Sequence, residues 1–278
     1  MMAPTPARVH GFDVVLNQGD SYPSIVAAFP YFNAPLVELV HQMYRVRGQP
    51  IVVGDIGAAI GDTVLLLKQR CPDAVARFIC VEGAAEFFEL LRANMAQFNN
   101  VTIVQQLLAS AEREIPRLVQ HHPGSAAASG EELAAAIELD RVDAISSANI
   151  DVLKIDVDGS DGEVIRGARQ LLVRCAPAVI FEWHPKLLQQ TGASFEGAFA
   201  ALTEYGYDRF LWFTNTGFFS HFDDGFSAGA AAKMAAYLLK INYRADEHFD
   251  VVALHSSHEL NEIELAAMEF ARRASAMG

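Results

Sequence analysis

Apolar residues recur along this chain in two alternating rhythms. Short, nearly continuous apolar runs (PIVVGDIG, ARFICVE and VTIVQQLL) read as strands covered on both faces. Between them lie segments with helical spacing, IGDTVLLLKQR, stopped by Cys71-Pro72, and AAEFFELLRANMAQF. The rhythm breaks over residues 111–148, whose Ala/Ser/Gly-rich HHPGSAAASGEELAAA reads as a surface insertion with a helix expected at 131–139. It resumes with strand IDVLKIDVD, helix DGEVIRGARQLLV, strand PAVIFEWH, helix SFEGAFAALTEYG and strand YDRFLWFTN. An aromatic excursion over 216–247, with a helix near 230–240, leads to strand FDVVALH and a terminal helix ELNEIELAAMEFARR.

Strands alternating with helices predict crossover units and a parallel sheet. The expected fold class is α/β: a doubly wound, seven-stranded sheet whose last strand runs antiparallel, with its ligand at the carboxyl ends where the strand order reverses. Residues 1–48 read as an N-terminal helical extension packing on the core. They carry prolines at 4, 6, 23, 30 and 35, and a helix over 35–46 that puts Leu36, Leu39, Val40 and Met43 on one face. Residues 49–278 form the main domain, with no internal repeat.

Composition narrows the function. The 278 residues are 51% hydrophobic, enough for one substantial core, and the formal charge is −13 with no basic run. That disfavours nucleic acid, whose binders displace counterions with a basic face. Cys71, Cys80 and Cys175 have no CxxC spacing, so neither a disulfide framework nor a zinc site is expected. No apolar stretch approaches the roughly 20 residues of a membrane helix. MMAPTPARVHGFDVVLNQGD lacks a signal-peptide core, so the expectation is a soluble, cytoplasmic protein acting on a small molecule. A homo-oligomer is compatible with all of this.

The most informative segment is VVGDIGAAIGDT, where an apolar strand runs into Asp55, Gly57 and Gly61 and a helix begins. Glycines allow a tight turn, and a helix start offers N–H groups to a carboxylate or phosphate. A dinucleotide GxGxxG fails at Ala59 and Asp62, and a P-loop fails because Asp62-Thr63 follows Gly61. Asp62 would repel a polyphosphate but tolerates a ligand with an ammonium beside its carboxylate, as at the methionine end of S-adenosylmethionine. An ordinary β-turn-α loop is the structural alternative. Glu82, ending FICVE before Gly83, is placed to accept both ribose hydroxyl protons. Ser110, after the third strand, offers a polar contact beside an adenine.

In DVLKIDVDGSDGEVIRGA, alternation puts Lys154, Asp156 and Asp158 on one face. Lys154 inside an apolar strand needs a partner, Asp55 or Asp156. Asp161 and Glu163 read as an acidic helix start. AVIFEWHP ends with Glu182, Trp183 and His184, and a histidine at that strand end is a candidate base for a hydroxyl. Asp156, Glu182 and His184 are therefore the candidate catalytic residues; the spacing demands no metal. Phe218, Phe219, Phe222 and Phe226 form either an acceptor-covering lid or a loop folded onto the core.

In order, DIGAAIGDT, FICVEGAAEFFELLRANM, VLKIDVDGSDGEVIRGARQLL and AVIFEWHP resemble the FkbM family of methyltransferases over about residues 50–213. The resemblance implies a class I methyltransferase fold of Rossmann-like type. It also implies S-adenosylmethionine as cofactor and transfer to a hydroxyl of a sugar, polyketide or related metabolite. Carried over, Asp55, Gly57, Gly61 and Glu82 contact the cofactor, with Asp156 near its methionine end or the acceptor. Ala59, Asp62, Gly83 and Ser110 complete the candidate cofactor set. Ala59 stands where the family often has asparagine, Gly83 where proline is common, and Asp158 where glutamate is common. Two other readings stay open: a non-catalytic cofactor-binding or scaffold protein, and an NAD-dependent oxidoreductase, which the failed GxGxxG disfavours.

Overall fold

The computed structural model describes residues 4–122, 125–241 and 247–266. The chain opens with an antiparallel hairpin, β1 (Pro4–Val9) and β2 (Phe12–Asn17), followed by α1 (Tyr22–Ala28) and α2 (Ala34–Arg47). Next come β3 (Ile51–Ile56), α3 (Asp62–Arg70), β4 (Val75–Glu82), α4 (Ala85–Met95) and β5 (Val101–Gln105). A short β6 (Leu107–Leu108) leads into a long hairpin, β7 (Arg113–His122) and β8 (Ser125–Ile137). A 3-10 turn and α5 (Asp143–Ser146) return the chain to β9 (Val152–Ile155), α6 (Asp161–Arg166), α7 (Arg169–Cys175) and β10 (Ala178–Trp183). The last part holds α8 (Pro185–Thr191), α9 (Gly197–Glu204), β11 (Tyr207–Thr214), β12 (Phe219–Asp224), α10 (Ala228–Ile241) and β13 (Phe249–His255).

The main sheet has eight strands in the order β12-β11-β13-β10-β9-β3-β4-β5. The five from β10 to β5 are parallel, while β13 runs antiparallel between β10 and β11. This is the expected doubly wound α/β sheet with its final strand reversed. The order switches direction between β3 and β9, which opens the crevice where ligands bind in such sheets. Apolar clusters cover both faces: α2, α3 and α4 pack on one, and α5, α6, α7, α9 and α10 on the other. Near-continuous apolar strands follow from that double burial.

Three local expectations are corrected. The strand β12 adds an eighth member at the sheet edge, paired antiparallel to β11 after a turn at Gly217. Of the expected helix at 131–139, residues 131–137 are instead the end of β8, with Leu133 opposite Pro116 and Ala136 opposite Arg113, and Leu139 opens the 3-10 turn. Alanine favours helix intrinsically, but cross-strand pairing overrides propensity when a partner strand lies alongside. The N-terminal extension also carries a β-hairpin ahead of its helices. Of the expected terminal helix, residues 262–266 are helical and the remainder falls outside the described residues. All three cysteines are free, Cys71 and Cys80 buried and Cys175 half-buried. Among the described residues no helix is long and apolar enough to cross a membrane.

Candidate functional site

The β3–α3 turn is built on positive backbone angles. Gly57 has φ +81° and Gly61 φ +87°, a region side chains rarely adopt. A Cβ on Gly57 would fall 1.8 Å from the Asp156 carbonyl oxygen, and one on Gly61 would fall 2.4 Å from Met95 Cε. The glycines thus let the turn press against the end of β9 and against α4. Ala59 between them also sits at positive φ, 44°, a strain that the surrounding contacts must hold.

Glu82 supplies part of that hold. Its side chain is buried at the tip of β4; Oε2 accepts the Ala59 amide at 2.9 Å and Oε1 the Ala84 amide at 2.7 Å. Burial raises its carboxyl above the ordinary value, opposed by the amides of Ala84, Ala59 and Gly83. The turn after β3 and the acid ending β4 are therefore one hydrogen-bonded unit. Asn94 of α4 ties this unit to the N-terminal hairpin: its Nδ2 donates to Ile60 O and Val15 O, and its Oδ1 accepts the Val15 amide. Leu118 of the β7–β8 hairpin packs beside Gly83.

Behind the turn lies an acid cluster around one ammonium. Lys154 Nζ stands 2.9 Å from Asp156 Oδ2 and 3.7 Å from Asp55 Oδ1. Both partners foreseen for it are thus present. Burial works against its charge, but Asp156, Asp55 and Asp62 together hold it above its ordinary value. Burial pushes Asp55 up against the pull of Lys154, and pushes Asp62 up to about 7. Asp158 also reaches about 7, through burial and then its neighbour Asp156. Asp156 itself is the accessible member, with 45% of its side chain exposed.

Next to this cluster, Lys154, Asp156, Glu182, Asp250 and Asn33 line one cavity at the ends of β9 and β10. Glu182 Oε1 lies 3.3 Å from His248 Nε2, and the His248 ring stacks on His184 at 4.7 Å between centroids. Burial holds Glu182 well above the usual range, and Asp156, Asp161, Asp158 and Asp250 add to it. Burial and then Asp156 bring Asp250 to about 7. Asp156 and Glu182 are thus brought together, and His184, itself buried, joins them through its ring stack. Ser110 is oriented elsewhere: its hydroxyl donates to Glu163 Oε2 at 2.7 Å, an oxygen Arg113 shares.

Sequence reasoning missed Asp250, His248, Asn33 and Asn94. A signal for the first existed, because an antiparallel last strand begins at the edge where its parallel neighbours end. The aromatic excursion folds onto the core: Phe226 stacks on Phe199, Phe219 meets Phe213 and Phe218 meets Tyr31, while Phe222 is exposed. Among the described residues no group of three or more His, Cys, Asp or Glu is arranged to hold a metal ion.

Comparison with known proteins matches residues 55–209 to the methyltransferase FkbM domain. No curated protein gives a match. Solved structures similar to this chain include methyltransferase FkbM from Methylobacillus flagellatus KT, at 16% identity and a TM-score of 0.39, over 48% of this chain and 33% of that one. Precorrin-6y C5,15-methyltransferase from Geobacter metallireducens GS-15 aligns at 14% identity and a TM-score of 0.41, over 78% and 86%. The putative transferase PH0793 from Pyrococcus horikoshii aligns at 16% identity and a TM-score of 0.43, over 92% and 74%.

Proposed function

From the premise that the chain belongs to the FkbM methyltransferase family, we propose that it uses S-adenosylmethionine to methylate a hydroxyl of a small metabolite. The observation that carries this reading is the coupling of Glu82 to the glycine turn through Ala59. A buried carboxylate at that strand tip keeps lone pairs for the two ribose hydroxyls, beyond those taken by the amides.

The residues present fit such a cofactor. Asp156, the accessible acid of the cluster, would meet the ammonium; burial raises Asp55 and Asp62 behind it, so a bound cation would favour their ionised forms. The start of α3 suits a carboxylate. Bound S-adenosylmethionine supplies an electrophilic methyl group on sulfur. The chain's part is alignment, and an acceptor for the hydroxyl proton. Asp250, near 7, is matched to that proton transfer at neutral pH. Asp156 orients the acceptor beside it. Glu182 fixes His248, and His184 supports that ring from behind. A cytoplasmic location accords with this substrate class.

The test is incubation with S-adenosylmethionine carrying a 13C-methyl group and a panel of sugars, amino alcohols and polyketide alcohols. The expected product gives an O-methyl carbon signal, and Asp250→Asn lowers its rate about 100-fold or more. A label found only on nitrogen or carbon contradicts the hydroxyl assignment.

A further inference from the structure

Glu182 lines a second cavity, whose wall also includes Asp161, Arg166, Phe181, Trp183 and Phe195. Asp161 is only 1% exposed. Among the described residues neither of its carboxylate oxygens has a hydrogen-bond partner beyond its own backbone amide, and Glu182 Oε2 has none. The neighbouring donors are engaged elsewhere: Arg166 pairs with Glu163, and Trp183 Nε1 donates to Phe195 O at 2.8 Å.

Buried polar groups in native proteins are almost always satisfied, so the two waiting oxygens of Asp161 in this wall, with Glu182 Oε2 at its border, call for a donor from outside the chain. Candidate ligands differ in what they offer. A hydroxyl brings one donor and no charge, and a quaternary ammonium brings charge and no donor. A primary ammonium brings three N–H donors and one positive charge. Phe181, Trp183 and Phe195 add an apolar and aromatic flank, which favours a cation attached to carbon.

We propose that this cavity is a primary-ammonium subsite, and that the methyl acceptor is a hydroxylated primary amine whose ammonium lodges between Asp161 and Glu182. Glu182 borders both cavities, so the ammonium subsite adjoins the place assigned to the hydroxyl beside Asp156 and Asp250. The hydroxyl half of the statement rests on the methyl-transfer reading above; the ammonium half does not.

The test is thermal unfolding of the full chain with methylammonium chloride, tetramethylammonium chloride and sodium chloride at equal ionic strength, and with glucosamine against glucose. Methylammonium at ten times its Kd is expected to raise Tm by about 3 °C. Tetramethylammonium and sodium give no such rise, and glucosamine acts where glucose does not. Asp161→Asn abolishes the response while keeping S-adenosylhomocysteine affinity. Should that variant fail to fold, Glu182→Gln is expected to abolish the response in its place. Equal shifts from all three salts, no shift at all, or a response that persists in the folded variant overturns the proposal. A protein that responds to methylammonium but does not bind S-adenosylhomocysteine loses the methyl-transfer reading and keeps the subsite. The reverse result removes the subsite alone.

Discussion

Lys154 carries one buried ammonium among Asp55, Asp62 and the partly exposed Asp156, and its pairing with Asp55 and Asp156 offsets the acids' mutual repulsion. Removing one member of a buried ion pair leaves the other charges uncompensated, at a cost of about 3–5 kcal/mol. Lys154→Met is therefore expected to lose about that much stability in urea unfolding, and Lys154→Met combined with Asp55→Asn to regain part of it. A single variant as stable as the wild type would show that the acids are neutral without the lysine. The need for a partner at Lys154 was legible from a cation in an apolar strand. Asp250 and His248 were missed, because their contacts with the rest of the site join segments far apart in sequence, and the direction of the last strand was the one signal for Asp250. Only the antiparallel register of β13 brings Asp250 opposite Glu182.

At the scale of elements, the N-terminal hairpin is fastened to the glycine turn through one side chain. Asn94, 2% exposed, serves Val15 on one side and Ile60 on the other. Truncation leaves three backbone groups short of their partner, and a buried unsatisfied group costs about 1–3 kcal/mol. Asn94→Ala is expected to speed amide exchange in both β2 and the turn at residues 57–61. Faster exchange in one segment alone would mean that the two are not coupled. Regular strands and helices were readable because period and burial agree along each of them. The β7–β8 hairpin was misread because its alanine-rich composition favours helix, while its strand state depends on pairing that only the folded chain supplies. The β12 edge strand was hidden for the same reason: half of its residues are exposed, so it lacks a continuous apolar run.

At the scale of the molecule, the doubly wound sheet is what alternating strands and helices predicted, and it gathers acids at the carboxyl ends of its central strands. Asp62, Asp158 and Asp250 titrate near 7 in the fold, against an ordinary value near 3.8. Between those values the folded chain holds more protons than the unfolded one, so stability falls as pH rises from about 4 to 7. Glu163, which Ser110, Arg166 and Arg113 hold near 2 against its burial, acts in the opposite sense below its ordinary value of 4.5. His258, which burial lowers to about 4, does so up to 6.5, one large shift against those of three acids. Urea midpoints are therefore expected to drop between pH 5 and pH 8, as those three acids ionise. Midpoints that rise over that interval would show the acids to be ionised already. A cationic ligand would work against the decline by stabilising the ionised acids, which would link stability to the proposed cofactor site. Calorimetric titration of S-adenosylhomocysteine into wild type and Glu82→Ala tests that site most directly. The account predicts one site per chain in the wild type and affinity about 100-fold weaker in the variant, from two lost charge-assisted hydrogen bonds. Equal affinity in both proteins, or no binding to either, would contradict it.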